Sequence, residues 1–375
     1  MPVVVGIADV HVGNHKQFGG SVHGSINHRC SQILDALQSA VDTVARLNGV
    51  LVIAGDLIDV VRPEAQILAR LQDILLPVPT VIVKGNHESC SNERGDHALG
   101  PLRAFATVVE EPAVLSLDEG DGDAVNLWCV PARPDAAEGW LPGVMEELSS
   151  ARAKMNPDAA DLMAVHLGIS DAGTAKFLRN VNDQIPSGTL AKLCAEHGVR
   201  FVMAGNWHNR QAWHLDGVHI QQLGALVPTG WNNPGLEGYG GMSIYTRGEV
   251  EMAEVQGPRF VKVVGGRAEV DEVIAMAENS PQLYMEVHTD PANVDPLSDY
   301  LDSVIAGGHL AARRVVGLRT RKDIAAKRAV ASAKAAGSVS GSLEGFVTSM
   351  PLDEDLDRDK VLSLSRDILT EAMKR

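Results

Sequence analysis

The strongest constraint on the fold is a repeated unit in the first half of the chain: a short, wholly apolar run, a polar loop, a segment with apolar residues at helical spacing, then another apolar run. Val3 to Ile7 is followed by Ile33, Leu34, Leu37, Val41, Val44 and Leu47, which share one helical face, and then by Val50 to Ala54. A second stripe, Ile67, Leu68, Leu71, Ile74 and Leu75, leads to Thr80 to Val83. Unbroken apolar runs mark buried strands, and strand-helix-strand connections predict two crossovers feeding a mainly parallel inner sheet.

Beyond residue 120 the segments shorten and turn signals multiply. Strands are expected at Val125 to Val130, Leu162 to Val165, Phe201 to Ala204 and His219 to Leu223. Three β-like runs, Met242 to Tyr245, Val250 to Val255 and Phe260 to Val264, predict a second sheet packed on the first. The next strand, Leu283 to Val287, a helix face of Leu297, Tyr300, Leu301 and Val304, and a strand at Arg314 to Leu318 predict a small βαβ appendage. An Ala/Ser/Gly/Lys stretch, Ala325 to Ser342, has linker composition. A final helix carries the stripe Val361, Leu364, Ile368 and Ala372. The expected division is a main domain over 1–265, a small α/β cap over 280–325 and a helical docking segment over 343–375.

Composition excludes several classes. No run approaches the roughly 20 apolar residues of a membrane span, and MPVVVGIADVH lacks a signal peptide's basic flank, so a cytoplasmic location is expected. The four cysteines, Cys30, Cys90, Cys129 and Cys194, are far apart and form no C-x-x-C pair, which argues for reduced, mostly buried thiols. A formal charge of −15 argues against nonspecific coating of nucleic acid. Charge is uneven, however. From Arg313 to Lys334 eight bases, including Arg314 and Arg319, face one acid, Asp323, a net of +7 that leaves −22 elsewhere. That segment is either an electrostatic footprint for nucleic acid or a solvated helix face.

Polar residues with metal-binding chemistry follow five of the apolar runs: Asp9-Val-His11, Gly55-Asp56-Leu-Ile-Asp59, Gly85-Asn86-His87-Glu88, His166-Leu-Gly168 and Gly205-Asn206-Trp-His208. Ligands of open α/β sheets bind beyond the carboxyl ends of the strands, so loops far apart in sequence converge there. Carboxylate oxygen and imidazole nitrogen suit hard and borderline divalent ions, and no thiolate competes. Two such ions clamp the attacking and leaving oxygens of a phosphate ester and neutralise its charge. Asp56 is the natural bridging carboxylate. Each motif alone is weak, since a lone strand-end histidine or Gly-Asp pair is commonplace; their joint order carries the reading.

That ordered set resembles the calcineurin-like metallophosphoesterases over roughly the first 260 residues. The openings Asp9-Val-His11-Val-Gly13 and Gly55-Asp56-Leu-Ile-Asp59, with the appendage and terminal helix, look most like the SbcD-type nuclease subunit of DNA double-strand-break repair. The resemblance implies a four-layer α/β/β/α sandwich with a small α/β cap and C-terminal helices. It implies that Asp9, His11 and His208 hold a first metal, Asp56 bridges, and Asn86 and His166 hold a second. His87 would be the catalytic proton donor, and Asp59 would assist by orienting a ligand. The cofactor would be two divalent ions, Mn²⁺ before Mg²⁺, Fe²⁺ or Zn²⁺. Its partners would be DNA and a coiled-coil ATPase of SbcC type, with the nuclease as a homodimer.

One position departs from the family pattern. Asn206 stands where the family has a metal-binding His in Gly-His-x-His, and a neutral amide is a poorer ligand than imidazole, so the second site is expected to be weaker or more selective for hard ions. Glu88 also replaces a common Asp. Arg210, Arg313, Arg314 and Arg319 are the substrate-binding candidates, against ordinary surface salt bridges. Trp207, Trp213 and Trp231 are candidates to stack on a base, against wall packing. The expected function is Mn²⁺-dependent hydrolysis of DNA phosphodiesters. The alternatives are a stand-alone enzyme for a nucleotide or other small ester, and a DNA-binding module that keeps metal but turns nothing over.

Overall fold

The structure is a computed structural model that describes residues 2–89, 97–118, 124–133, 139–170, 184–231, 240–255, 257–276, 282–317 and 359–364. Two six-stranded sheets dominate it. Across the first, the strands run Glu249–Val255, Gly240–Thr246, Val4–Ile7, Val50–Ala54, Thr80–Val83 and Thr107–Val109. Val4–Ile7, Val50–Ala54, Thr80–Val83 and Thr107–Val109 are mutually parallel, as the two crossovers require, and Gly240–Thr246 is antiparallel to Val4–Ile7. In the second sheet the order is Gln211–Leu215, Val218–Gln222, Phe201–Gly205, Ala160–His166, Ala124–Val130 and Ala113–Asp118.

Side-chain alternation along these strands explains the layering, because successive residues face opposite sides of a sheet. Val5, Ile7, Leu51 and Ile53 pack with Ile33, Leu37, Val41 and Val44 of the helix His28–Leu47 and with Ile67 and Leu71 of the helix Ala65–Leu75. Their neighbours Val4, Val50 and Val52 face inward with Leu127, Cys129, Leu162, Ala164, Phe201 and Met203 of the second sheet. On that sheet's far side Trp128, Met163, Val165 and Val202 pack with Leu141 and Met145 of Trp140–Arg152 and with Leu190 and Cys194 of Ser187–Glu196. The result is an α/β/β/α sandwich with three apolar layers. Truncating a fully buried residue such as Ile53 to Ala costs about 2–5 kcal/mol.

One expectation is corrected here. Residues 240–255 do not start a second sheet; they extend the first, where Gly240–Thr246 finds the open edge of Val4–Ile7. The second sheet comes instead from residues 113–222, with Ala113–Asp118 and Gln211–Leu215 as edge strands that sequence reading omitted. Arg259–Val264 joins Leu283–Thr289 and Ala312–Gly317 in a separate three-stranded sheet with Leu283–Thr289 central. Contacts divide the chain into one unit of Met1–Val263, Val273–Glu286 and Ser303–Arg314, and another of Val264–Glu272, Val287–Asp302 and Val315–Arg375. In the second unit the Arg267 guanidinium lies 4.1 Å from the ring centre of Tyr300, whose hydroxyl donates to Asp271. Residues 359–364 are helical, while the rest of 343–375 and the proposed linker lie outside the described residues. No helix among the described residues is long and apolar enough to cross a membrane.

Candidate metal centre

All five ligand-bearing loops leave the carboxyl ends of strands. Asp9 and His11 follow Val4–Ile7, Asp56 and Asp59 follow Val50–Ala54, and Asn86 and His87 follow Thr80–Val83, three adjacent strands of the first sheet. His166 ends Ala160–His166, and Asn206 and His208 follow the neighbouring strand Phe201–Gly205 of the second sheet. Backbone bonds continue the ladder past the strand ends: Asp9 N–H donates to Gly55 O at 3.1 Å and His11 N–H to Asp56 O at 2.9 Å. Asp9, His11, Asp56 and Asn206 have φ of 48°, 51°, 50° and 88°. Non-glycine residues seldom adopt that left-handed region, and four of them at one site indicate that local strain turns these side chains inward.

Two glycines make the approach possible. A Cβ on Gly55, itself at φ 91°, would fall 1.9 Å from His166 Nδ1, and one on Gly85 would fall 2.0 Å from Asp56 Oδ1. Two side chains that sequence reading missed as positioning groups tie the loops together. Glu88 is fully buried and accepts from Ile58 N–H at 3.1 Å and Gly85 N–H at 2.8 Å, joining the second and third loops. Gln222 accepts from Ile169 N–H at 2.9 Å and donates to Gly205 O and Trp207 O, joining the fourth and fifth. A carboxylate directly after Gly-Asn-His was the only available sign of the first; nothing in the sequence marked the second.

His166 donates from Nδ1 to Ala54 O at 2.8 Å, so its Nε2 faces Asn86 Oδ1 at 2.8 Å and Asp56 Oδ2 at 3.3 Å. His11 Nε2 and His208 Nε2 face each other at 3.0 Å, with Asp56 Oδ2 3.8 Å from the former. Asp9 Oδ1 accepts from Asn206 N–H at 2.9 Å, whereas Asp9 Oδ2 is buried and makes no hydrogen bond among the described residues. Single ligand atoms of Asp9, His11 and His208, and of Asp9, Asp56 and His166, lie within 4.8 Å of one another. Acceptors thus converge on acceptors around a buried, unpaired carboxylate oxygen. Oxygen and imidazole donors in such an array fit divalent cations.

The charge states agree with that fit. Burial pushes the Asp9 carboxyl up to about 6. Burial also works to raise Asp56, but the nearby His166 and His11 outweigh it and hold the carboxyl below its ordinary range. Burial disfavours charge on His166, yet Asp56 and Asp9 raise it to about 9, and burial beside His11 lowers His208 to about 4. At neutral pH the proton on His166 stands in for positive charge that a metal would supply, while His208 is left neutral with its lone pair free for a cation.

Outside the ligand set, Asp59 is surrounded by imidazoles. Its Oδ1 lies 3.2 Å from His11 Nδ1 and 3.4 Å from His87 Nδ1, and its Oδ2 lies 3.6 Å from His15 Nδ1. The close imidazoles of His11 and His87 hold the carboxyl well below the carboxylate range, and Asp59 in turn raises His87 to about 9. His87 is 42% exposed at the edge of the centre, open to a substrate.

The family model described as calcineurin-like phosphoesterase matches residues 2–210, more than half of the chain. The chain belongs to the calcineurin-like phosphoesterase family. As a calcineurin-like phosphoesterase it is a metal-dependent hydrolase of phosphoesters, and its fold implies two divalent metals. Asp9, His11, Asp56 and His208 would hold one, and Asp56, Asn86 and His166 the other, with Asn206 beside them donating its backbone N–H to Asp9. No curated protein matches the chain. Among solved structures it is similar to a phosphopantetheinyl hydrolase from Mycobacterium tuberculosis, with 15% identity, TM-score 0.36 and coverage of 60% of this chain and 90% of that one. A dimetal phosphatase from Danio rerio has 13% identity and TM-score 0.39, covering 68% and 96%. An archaeal phosphodiesterase has 10% identity and TM-score 0.32, covering 68% and 99%.

The remaining predicted residues lie apart from the ligands or outside the described residues. Arg210 turns to the strand Gly240–Thr246, where Nη2 donates to Ser243 Oγ at 3.1 Å, and burial lowers its pKa to about 10. Arg314 pairs with Glu286 at 3.4 Å, Arg313 lies beside it on Ala312–Gly317, and Arg319 lies outside the described residues. The three tryptophans do not form a cluster: Trp207 packs on Gly168, Trp213 on the outer core of the second sheet, and Trp231 beside Phe18 and Phe260. Cys30, Cys129 and Cys194 are buried free thiols; Cys90 lies outside the described residues. A cavity of about 780 Å³ opens at the amino ends of the strands, lined by Pro2, Gly49, Thr80 and Thr107, and includes none of the ligand residues.

Proposed function

We propose that this phosphoesterase hydrolyses DNA phosphodiester bonds with Mn²⁺ as the nuclease subunit of an SbcC/SbcD-type complex, a homodimer beside a coiled-coil ATPase. The observation that carries this reading is the pairing of His87 with Asp59 at 3.4 Å. A sugar alkoxide leaves a phosphodiester poorly unless it is protonated, and a half-exposed imidazole held in its charged form beside the metal ligands is placed to supply that proton. Asp59 fixes the ring through Nδ1 and leaves Nε2 for substrate. When bound, the two cations supply charge neutralisation at the phosphate. The motif openings at Asp9 and Gly55 add the subfamily likeness.

One observation favours the second reading, a stand-alone enzyme for nucleotides or other small esters. Arg314, a supposed DNA contact, already has a carboxylate partner in Glu286. The deciding experiment combines a pull-down with a Mn²⁺ nuclease assay on linear duplex and single-stranded DNA. Recovery of a large ATPase with DNA cleavage that Asp9→Ala and His87→Ala each reduce by about a hundredfold or more supports the nuclease. Turnover of nucleotides or small esters, with DNA left intact, replaces it with the second reading.

A further inference from the structure

Beside the metal centre, and sharing His11 with it, lies a cavity of about 70 Å³ walled by Val10, His11, His15, Phe18 and Arg29. One wall residue is not explained by packing. Arg29 is only 4% exposed, in the first turn of the helix His28–Leu47, and burying a guanidinium is costly unless it is paired. Its Nη2 donates to Pro228 O at 2.5 Å, while Nη1 is buried and makes no hydrogen bond among the described residues. The Phe260 ring centre lies 5.6 Å away, and the Tyr284 hydroxyl is close enough to interact with the guanidinium. A carbonyl, a ring face and a neutral hydroxyl bring no opposite charge to the guanidinium, and its Nη1 has no acceptor among the described residues.

Phe18 supplies a second, independent sign. It has φ +60°, a conformation an aromatic residue rarely adopts, and its ring stands edge-on to Trp231, Phe260 and Tyr284 at 4.9–5.2 Å. Strain of this kind persists where the surroundings hold a functional shape. Another lining residue, His15, is fixed by its Nε2 contact with His11 O at 2.7 Å. The cavity exceeds the roughly 15 Å³ that one water requires several times over, which leaves room for a small oxyanion.

We propose that this cavity is a subsite for a phosphate group next to the scissile one, with the Arg29 guanidinium as its ligand. Two charge-assisted hydrogen bonds to such a group would match the fork geometry of arginine. The inference rests on the phosphodiester reading, because a polynucleotide brings neighbouring phosphates to the site and a simple monoester brings none.

The test uses the Mn²⁺-loaded full chain and two small diesters, the p-nitrophenyl ester of thymidine 5′-phosphate with and without a 3′-phosphate. In the wild type the added phosphate lowers KM about tenfold, in line with a hydrogen bond to a charged group. That advantage falls toward one in Arg29→Met and is partly kept in Arg29→Lys. An equal advantage in wild type and both variants, or none in wild type, overturns the subsite. If Arg29→Met does not fold, Arg29→Lys alone decides. If DNA is not cut but these diesters are, the nuclease reading falls and the subsite is still measured. Should no ester turn over, calorimetric titration of inorganic phosphate into the chelated full chain decides: binding that is measurably weaker in Arg29→Lys than in the wild type supports the subsite, and no binding or equal binding removes it.

Discussion

His166 Nδ1 donates to the carbonyl oxygen of Ala54 across 2.8 Å, so a metal-ligand candidate of one sheet is fixed by the backbone of the other. This contact sets the tautomer and turns Nε2 toward Asp56 and Asn86. His166→Ala removes a candidate ligand and the hydrogen-bond donor to the Ala54 carbonyl. Elemental analysis should find bound metal reduced from two ions to about one per chain, and urea unfolding of the chelated protein should show a loss of about 1–3 kcal/mol. Two ions retained in the variant would remove His166 from the site.

Asp59 and His87 give a pH-dependent prediction. Asp59 raises His87 to about 9, so the imidazole carries its proton through neutral pH and loses it above that value. Asp59→Asn removes the carboxylate, and the His87 pKa drops toward the ordinary 6.5. The basic limb of the kcat/KM profile should move from near pH 9 toward pH 6.5, with a much larger loss of activity at pH 8 than at pH 6. His87→Ala should cost about 10²–10⁴-fold in kcat and abolish that limb. An unmoved limb in Asp59→Asn would show that some other group titrates.

The layers and ligands differed in how far the sequence revealed them. Val50 to Ala54 coincides with the observed strand because both faces of it are buried, which makes every residue apolar. The edge strand Gln211–Leu215 is exposed on four of its five residues, so no apolar pattern marks it. The strands of 240–255 were recognised, but their sheet was not, since local pattern says nothing about which distant edge is open. The candidate ligands could be picked out at strand ends because D-x-H, G-D and G-N-H are compact motifs. Gln222, which ties two loops through bonds spanning 15 to 53 residues, sits in an ordinary strand sequence and has no local signature.

Metal should stabilise the protein more as pH rises. The folded pKa of Asp9, about 6, lies above its ordinary 3.8, so its protonated form adds stability that is fully present below 3.8 and lost as pH rises through 6. His166, raised to about 9, adds stability present below 6.5 and lost through 9. The chelated protein therefore loses both contributions between about pH 4 and 9, while a cation takes over from the protons. Mn²⁺ at a hundred times its Kd adds about 2.7 kcal/mol per site. Melting curves with Mn²⁺ or chelator should show a gap that widens from pH 5 to pH 8. A constant gap would mean that these protons and the metal do not compete.

Asn206 offers a gain-of-function test. Its backbone N–H already holds Asp9 Oδ1 at 2.9 Å, and its φ of 88° lies in a region that histidine tolerates better than most residues. Asn206→His keeps the backbone donor and substitutes imidazole for an amide oxygen, a better ligand for Mn²⁺ and especially for Zn²⁺. Calorimetric titration should show the weaker of the two Mn²⁺ sites tightening at least tenfold, about 1.4 kcal/mol, with the tighter site little changed. The preference for Zn²⁺ over Mg²⁺ should rise in parallel. If both affinities stay as they were, the Asn206 side chain does not face the second ion, and the departure from the family pattern has no bearing on metal binding.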